Sequence, residues 1–390
     1  MTCENTPPPS RRSHLHVLDL LRGIAILLVF AHHCFWWHYG KSPIQWSGLT
    51  RDLHQPIDRL LFIPFSLGWA GVSVFFVVSG FCIHLSHLRD ASSGRGFMIF
   101  FIKRFWRIYP PYLAAVVLFL AGDILTGQIS GKEEIFKQTW THLALLHNFW
   151  NDTYHGINPS FWSIAVEAQL YLIYPILWWI GKTRGWLFAL LISAFSEIGI
   201  QLLISLPPHL AIAIPKYVSA GPFAYWFSWA LGAYLADMWS QNKHLRISPT
   251  LAWIAGVLFI LSWFIHPLRH FGFTSAAILT FALIGRTIFS QTQSPDKQSL
   301  FYKEKLNRML SFFGLISFSF YLFHQPLISI SNKLLLRLQV QSGNPWVDFI
   351  VLLVSIIPIT AFSWLTYRWL EKPSMATGKK FLHLHVKKGA

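Results

Sequence analysis

Charge is scarce in this chain. Only 12% of its 390 residues are Asp, Glu, Lys or Arg, and acids are the scarcer sign, 16 against 32 Lys and Arg. A soluble domain usually carries about a quarter charged residues, so the deficit excludes an ordinary water-soluble enzyme. Three Cys, at positions 3, 34 and 82, exclude a disulfide framework, and two of them lie inside apolar runs. No Cys/His spacing suggests a metal site. There is no internal repeat, no low-complexity linker and no stretch of soluble-domain composition. The N-terminus, MTCENTPPPSRRSH, is too polar for a cleaved leader, so the first apolar run is expected to stay.

Apolar residues are abundant, at 53% of the chain, with 19 Trp and 12 Tyr among them, and mean hydropathy is +0.43. Rings of that kind gather where helix ends meet lipid headgroups. Ten apolar stretches are legible, at 17–39, 66–86, 108–125, 162–180, 185–205, 222–239, 250–266, 272–290, 311–333 and 347–370. Each approaches the ~20 residues needed to cross a bilayer at ~1.5 Å per residue. The marginal ones are 222–239 and the close pair 250–266 and 272–290. The expected fold is all-α: a polytopic transmembrane bundle of about ten helices. The loops 40–65, 126–161 and 291–310 are too short to fold alone.

With the N-terminus inside, the inner segments hold Arg11, Arg12, Arg89, Arg95, Lys103, Arg104, Arg107, Lys182, Arg184, Lys243, Arg246, Arg286, Lys297, Lys303, Lys305, Arg308, Lys372, Lys379, Lys380, Lys387 and Lys388. The outer loops hold fewer than half as many: Lys41, Arg51, Arg59, Lys132, Lys137, Lys216, Arg269, Lys333 and Arg337. That bias places both termini in the cytoplasm. The net charge of +16 is read the same way, as loop bias rather than a nucleic-acid surface. The expected organisation is a cytoplasmic tail at 1–16, a membrane domain at 17–373 and a basic cytoplasmic tail at 374–390.

An ionisable group in lipid costs roughly 2.5–3.5 kcal/mol on insertion scales, so each is a functional candidate. The first span carries Asp19, Arg22, His32 and His33; the fourth, Glu167 and Gln169; the fifth, Glu197; the ninth, Ser317, Ser319, Tyr321, His324 and Gln325. Helical rise puts His33 roughly 24 Å from the inner face, His324 about 20 Å from it, and Glu167 roughly 7 Å below the outer face. Arg22 lies about 8 Å from the inner face, and Arg104 and Arg107 at that boundary. Two polar layers result: imidazoles and a carboxylate outside, arginines inside. A His beside a carboxylate suits general-base work, and clustered Arg suits phosphates. A phosphorylated donor inside and an activated hydroxyl outside fit group transfer.

Each candidate also has a plainer reading. His33 and His324 could be packing histidines, Glu167 a helix–helix hydrogen-bonding group, and Arg104 and Arg107 topological anchors. His32 points about 100° from His33 on a helix, which favours structure. Ser79–Gly80 reads as a close-packing site, and Asp19 and Arg22 as a pair that neutralises itself. Gln325–Pro326 would loosen its helix. Glu133 and Glu134 read as a solvated loop face, and Glu197 has no assigned role. The rival function is a transporter or flippase that uses buried His and Glu.

In order along the chain, several segments carry a resemblance: LDLLRGIAILLVFAHH (Leu18 to His33), GVSVFFVVSGFCI (Gly71 to Ile83), RFWRIYPPY (Arg104 to Tyr112), FWSIAVEAQLYLIYP (Phe161 to Pro175), GLISFSFYLFHQPL (Gly314 to Leu327) and YRWLEKP (Tyr367 to Pro373). Together they resemble the acyltransferase 3 family of membrane O-acyltransferases. The spacing of that family's first block, with His eleven residues after Arg, selects His33 over His32. Its fourth-helix block often has a second acid where this chain has Ala168. No esterase-like domain of the kind some members append is present in the sequence.

The resemblance implies an inner-membrane enzyme taking acetyl or another short acyl group from acyl-coenzyme A to a carbohydrate or glycolipid hydroxyl. It implies no tightly bound cofactor. Arg22 and His33 are essential by that likeness, and Arg104 and Arg107 contact the donor. The catalytic assignment is His33 as base supported by Glu167, with Arg22, Arg104 and Arg107 on the donor. Asp19, Ser79, Trp162, Gln169, Tyr171, Ser317, Tyr321 and His324 are the further cavity or acceptor candidates.

Overall fold

The structure, a computed structural model, describes residues 16–39, 44–90, 96–206, 213–243, 245–290, 305–340, 342 and 344–385. Among them the expected positions Arg11, Arg12, Lys41, Arg95, Lys297, Lys303, Lys387 and Lys388 do not fall, and nor does most of the 291–310 loop.

The architecture is helical. The main elements are α1 (His16–Tyr39), α2 (Gly71–Asp90), α3 (Gly96–Leu125), α4 (Lys132–Leu143), α5 (Phe161–Thr183), α6 (Trp186–Ser205), α7 (Trp226–Ser240), α8 (Pro249–Phe264), α9 (Gly272–Ser290), α10 (Lys305–Arg337), α11 (Pro345–Val354), α12 (Ile356–Thr366) and α13 (Lys372–His385). A π-helical turn, Tyr367–Glu371, joins the last two. The described strands are one two-residue pairing, Trp46–Ser47 with Thr50–Arg51.

Eight helical segments are long and apolar enough to cross a membrane, and the chain is a multi-pass membrane protein. The other two stretches read from sequence form shorter helices. α7 has 15 residues and α8 has 16, so each rises only about 22–24 Å against a ~30 Å hydrocarbon core. α7 is the more buried, with Trp229, Ala230 and Ala233 fully enclosed. The bundle is apolar outside as lipid requires: Leu172, Trp179, Leu187, Leu191 and Phe195 are all exposed.

Two close crossings set the frame. On α1 and α10, a Cβ at Gly23 would lie 2.0 Å from the Leu310 carbonyl oxygen, and one at Gly314 would lie 1.9 Å from that of Asp19. Only hydrogen fits there, as in small-residue contacts between membrane helices. Ten residues beyond each of these glycines, His33 meets His324. Both helices therefore advance together and run parallel. On α2 and α7, Gly80 sits on the Trp229 carbonyl and Gly232 on that of Val77.

Buried polar groups pin the remaining helices. Glu197, fully enclosed on α6, accepts from the Ser228 amide (2.9 Å), the Ser228 hydroxyl (2.7 Å) and Thr274 Oγ1 (2.5 Å). It ties α6 to α7 and α9, which gives it the structural role that sequence alone left blank. His84 on α2 bridges the Tyr174 hydroxyl (2.9 Å) and Asp237 (3.2 Å), and Lys182 lies 3.5 Å from the same carboxylate.

One boundary differs from expectation. The third span, read as 108–125, begins at Gly96, so Arg104 and Arg107 lie inside a helix rather than before one. The stretch GFMIFFIKRFWR is apolar apart from its cations, and a helix can carry those if they face a cavity. The C-terminal segment read as a tail from 374 is helical to His385. It packs on α3, with the Ser374 hydroxyl donating to the Trp106 carbonyl and Gly378 against the Trp106 side chain.

Candidate active site

A cavity of about 320 Å³ opens between α1, α2, α3, α5 and α10. Each helix contributes through residues one turn apart. α1 brings Asp19 and Arg22, α2 brings Phe75, Ser79 and Cys82, α3 brings Arg104 and Arg107, α5 brings Ser163, Glu167 and Tyr171, and α10 brings Ser317 and Tyr321. Three guanidinium groups thus share one chamber with two carboxylates.

The acids do not neutralise the arginines evenly. Asp19 pairs with Arg22 at 3.3 Å, and the other Arg22 nitrogen reaches Cys82 Sγ at 3.3 Å. Glu167 Oε1 accepts from the Ser79 hydroxyl (2.6 Å) and the Tyr171 hydroxyl (2.5 Å). Arg104 has one long contact, to Ser86 Oγ at 3.5 Å, and its Nε is buried without a partner. Among the described residues Arg107 reaches Met375 Sδ alone, at 3.8 Å. Among the described residues neither forms an ion pair. Unpaired donors on two adjacent guanidinium groups, aimed into an enclosed space, suit a polyanion.

The imidazoles lie beyond this chamber. His33 Nδ1 is 2.9 Å from His324 Nε2, and His324 Nδ1 is 2.8 Å from the Tyr321 carbonyl oxygen. His324 is fully buried while His33 is half-buried. Tyr321 stands between the two compartments. Its ring lines the cavity, its hydroxyl shares a 2.6 Å hydrogen bond with Ser163, and its carbonyl anchors His324.

This geometry corrects the expected pairing of His33 with Glu167. The Glu167 carboxylate bonds Ser79 and Tyr171, on the arginine side, and the partner of His33 is His324. Helical rise grouped Glu167 with the two imidazoles, but it shares its chamber with Arg22, Arg104 and Arg107 instead, because rise along a helix does not say which way a side chain points around it. Three further candidates do not line the cavity. Gln169 is buried in a clamp, donating to the Leu145 carbonyl (2.8 Å) and exchanging hydrogen bonds with Asn148 (2.8 and 3.1 Å). Trp162 stacks on Tyr154, centroids 5.9 Å apart. His324 acts on His33 instead. Ser79 lines the chamber, while its neighbour Gly80 makes the close helix contact. His32 turns away, its Nδ1 3.1 Å from the Phe65 carbonyl.

Sequence reading missed several groups. Glu371 is buried on the π-helical turn and accepts from Ser319 at 2.7 Å. It is near enough to Arg107 and Arg22 to act on their charge. Its sequence signal was weak, an acid at the end of the tenth apolar run beside Lys372; the π-helical turn that carries it, a feature frequent at functional sites, shows only in the fold. Ser163, Cys82 and Phe75 carried no signal, because a small or apolar residue in an apolar helix is unmarked. Asn158 donates to the Leu322 carbonyl at 2.9 Å and holds the start of α5 against α10.

Compared with known proteins, residues 15–368 match the acyltransferase domain family, acyltransferase 3. The chain is 26% identical over 355 residues to O-acetyltransferase OatA of Staphylococcus aureus, covering 83% of this chain and 55% of that protein. It is 25% identical over 391 residues to Nodulation protein 10 of Rhizobium leguminosarum bv. viciae, covering 93% and 94%. It is 23% identical over 396 residues to Peptidoglycan O-acetyltransferase OatA of Listeria monocytogenes, covering 94% and 57%. The chain thus spans about half the length of the OatA proteins. No solved structure matches it.

Proposed function

The chain belongs to the acyltransferase 3 family, and from that premise we propose that it is a membrane O-acyltransferase. It moves an acetyl or other short acyl group from acyl-coenzyme A to a hydroxyl of a cell-surface or periplasmic carbohydrate. The observation that carries this reading is the chamber, where Arg104 and Arg107 line one cavity with Tyr321, whose carbonyl is linked through His324 to His33 beyond it. The OatA relatives are named for O-acetyl transfer and, in Listeria monocytogenes, for a peptidoglycan acceptor, which supports the group and the acceptor class.

The donor's phosphates sit against Arg104 and Arg107, with Arg22 nearby, and its thioester extends toward Tyr321. His33 Nε2 takes the proton of the acceptor hydroxyl. The oxygen bonds to the acyl carbonyl carbon, the C–S bond breaks, and the departing thiolate recovers the proton from His33. Glu167 acts on the arginine side, balancing charge and holding Ser79 and Tyr171. The Lys and Arg bias puts the arginines and both termini on the cytoplasmic side of an inner membrane. The transporter reading rests on buried His and Glu alone, which transfer chemistry also uses.

The test uses sealed vesicles of both orientations with labelled acetyl-coenzyme A, which does not cross membranes by itself. Inverted vesicles should label glycan in their lumen, and a His33→Ala variant at equal expression should not. Right-side-out vesicles should label nothing until loaded with donor. Full labelling by His33→Ala would remove the base assignment. Labelling that requires donor and acceptor on the same side would overturn the proposed orientation.

A further inference from the structure

A neutral histidine can act as a base only through the nitrogen that lacks a proton, so the tautomer of His33 decides whether it can work. Two contacts fix it. The Tyr321 carbonyl oxygen can only accept, so the His324 nitrogen 2.8 Å away, Nδ1, carries a hydrogen. A neutral ring protonated at Nδ1 has a bare Nε2. That Nε2 lies 2.9 Å from His33 Nδ1, and two lone pairs at that separation would repel, so His33 Nδ1 carries the hydrogen between them. His33 Nε2 is then left with its lone pair. The alternative, a cationic His324, would bury a charge fully where, among the described residues, no carboxylate bonds either ring. An unpaired charge there is costly.

Resting on the reading of His33 as base, we propose that His324 is a positioning residue that holds His33 in the tautomer with a bare Nε2, by a relay ending on the Tyr321 carbonyl. The relay replaces the carboxylate that usually orients a catalytic imidazole with a second imidazole and a backbone oxygen. It places no negative charge near the acceptor. When His33 takes up the hydroxyl proton, its Nδ1–H goes on donating to His324 Nε2, and that bond strengthens as the ring becomes cationic. The contact depends on the α1–α10 crossing, because the approach at Gly23 and Gly314 sets the register in which residue 33 faces residue 324.

The experiment compares His324→Gln with His324→Phe in the full chain in lipid nanodiscs. Gln places its carbonyl oxygen near the position of Nε2 and still accepts from His33. Phe keeps the ring's volume and its packing on Phe320 but accepts nothing. We expect turnover in Phe to fall by roughly two to four orders of magnitude, Gln to stay within about ten-fold of wild type, and acyl-coenzyme A affinity to change in neither. A purely structural role for His324 would not separate the two variants. Wild-type turnover in His324→Phe, or equal loss in both at unchanged donor affinity, would overturn the proposal. A second readout needs no activity: solid-state NMR of the chain labelled with ¹⁵N-histidine, as a difference between wild type and His33→Ala. It should show a protonated Nδ1 and a bare Nε2 for His33, and the reverse pattern would overturn the relay. If His33→Ala retains full turnover while the NMR pattern is as expected, the tautomer stands and the base assignment falls.

Discussion

Replacing Arg104 or Arg107 by Ala tests the donor site most sharply, because the structure separates binding from stability at these positions. Arg22 is paired with Asp19, so its removal would strand a carboxylate. Arg104 and Arg107 form no ion pair among the described residues, and Arg104 Nε has no partner at all. Truncating Arg104 therefore breaks no carboxylate bond and removes a cation held in a semi-enclosed site, which leaves apo stability unchanged or higher; truncating Arg107 also withdraws a positive charge that acts on buried Glu371 and should lower apo stability slightly. The loss should fall on the donor. A charge-assisted hydrogen bond contributes roughly 1.5–3 kcal/mol, so each variant should weaken acyl-coenzyme A binding about ten-fold to a hundred-fold. Lys should restore part of this, since it returns the charge without the planar fork. Calorimetric titration of purified protein with a non-hydrolysable acyl-coenzyme A analogue reads the affinity, and thermal unfolding of the apo protein reads stability. Unchanged affinity with a lower unfolding temperature would refute the reasoning and make these arginines structural.

Other substitutions sort the remaining polar groups. Glu167→Gln should fold normally and lower turnover, because the amide keeps contact with Ser79 and Tyr171 but removes the charge facing the arginines; unaltered kinetics would confine Glu167 to helix packing. His32→Ala gives up one hydrogen bond to the Phe65 carbonyl, about 1 kcal/mol, and should leave turnover near wild type. A loss as deep as that of His33→Ala would show that the wrong histidine had been chosen. Glu197→Ala strands the three donors it accepts and should destabilise by roughly 3–5 kcal/mol with catalysis per folded molecule intact, which unfolding curves and active-site titration separate. The stacked pair His142 and His147, rings 4.1 Å apart, lies outside the spans. Burial lowers His142 to about 4 and pushes His147 well down too. The unfolded segment thus binds more protons below pH ~6.5, and stability falls as pH drops from there toward 4, by about 1.4 kcal/mol per unit for each ring. Hydrogen exchange across 132–160 at pH 7.5 and 5 should show faster opening at the lower pH; equal protection would refute it.

The sequence by itself determined the medium and the cast. Scarce charge and long apolar runs fix a helical membrane chain, because lipid admits only segments whose backbone hydrogen bonds close internally. The same argument marked Arg22, His33, Glu167 and His324, since any ionisable group in an apolar run must have a reason to be there, while Arg104 and Arg107 stood out as clustered cations at a span boundary. Ends were less legible: the cations at 103–107 obscured an α3 that starts at Gly96, and α7 and α8 proved shorter than a bilayer.

Tertiary structure decided who faces whom. Rise along a helix put His33, His324 and Glu167 at one height, but a side chain's direction around its helix depends on how neighbouring helices cross. The close approaches at Gly23 and Gly314 turn His33 onto His324, while Glu167 meets Tyr171 one turn along its own helix and Ser79 across from it on α2. Gln169, polar in an apolar span, was indistinguishable in sequence from a site residue; only the loop folded over it shows that it clamps Asn148 and Leu145. A one-dimensional string fixes periodicity and depth. Azimuth, and with it the choice between a carboxylate and a second imidazole behind His33, exists only once the helices are packed.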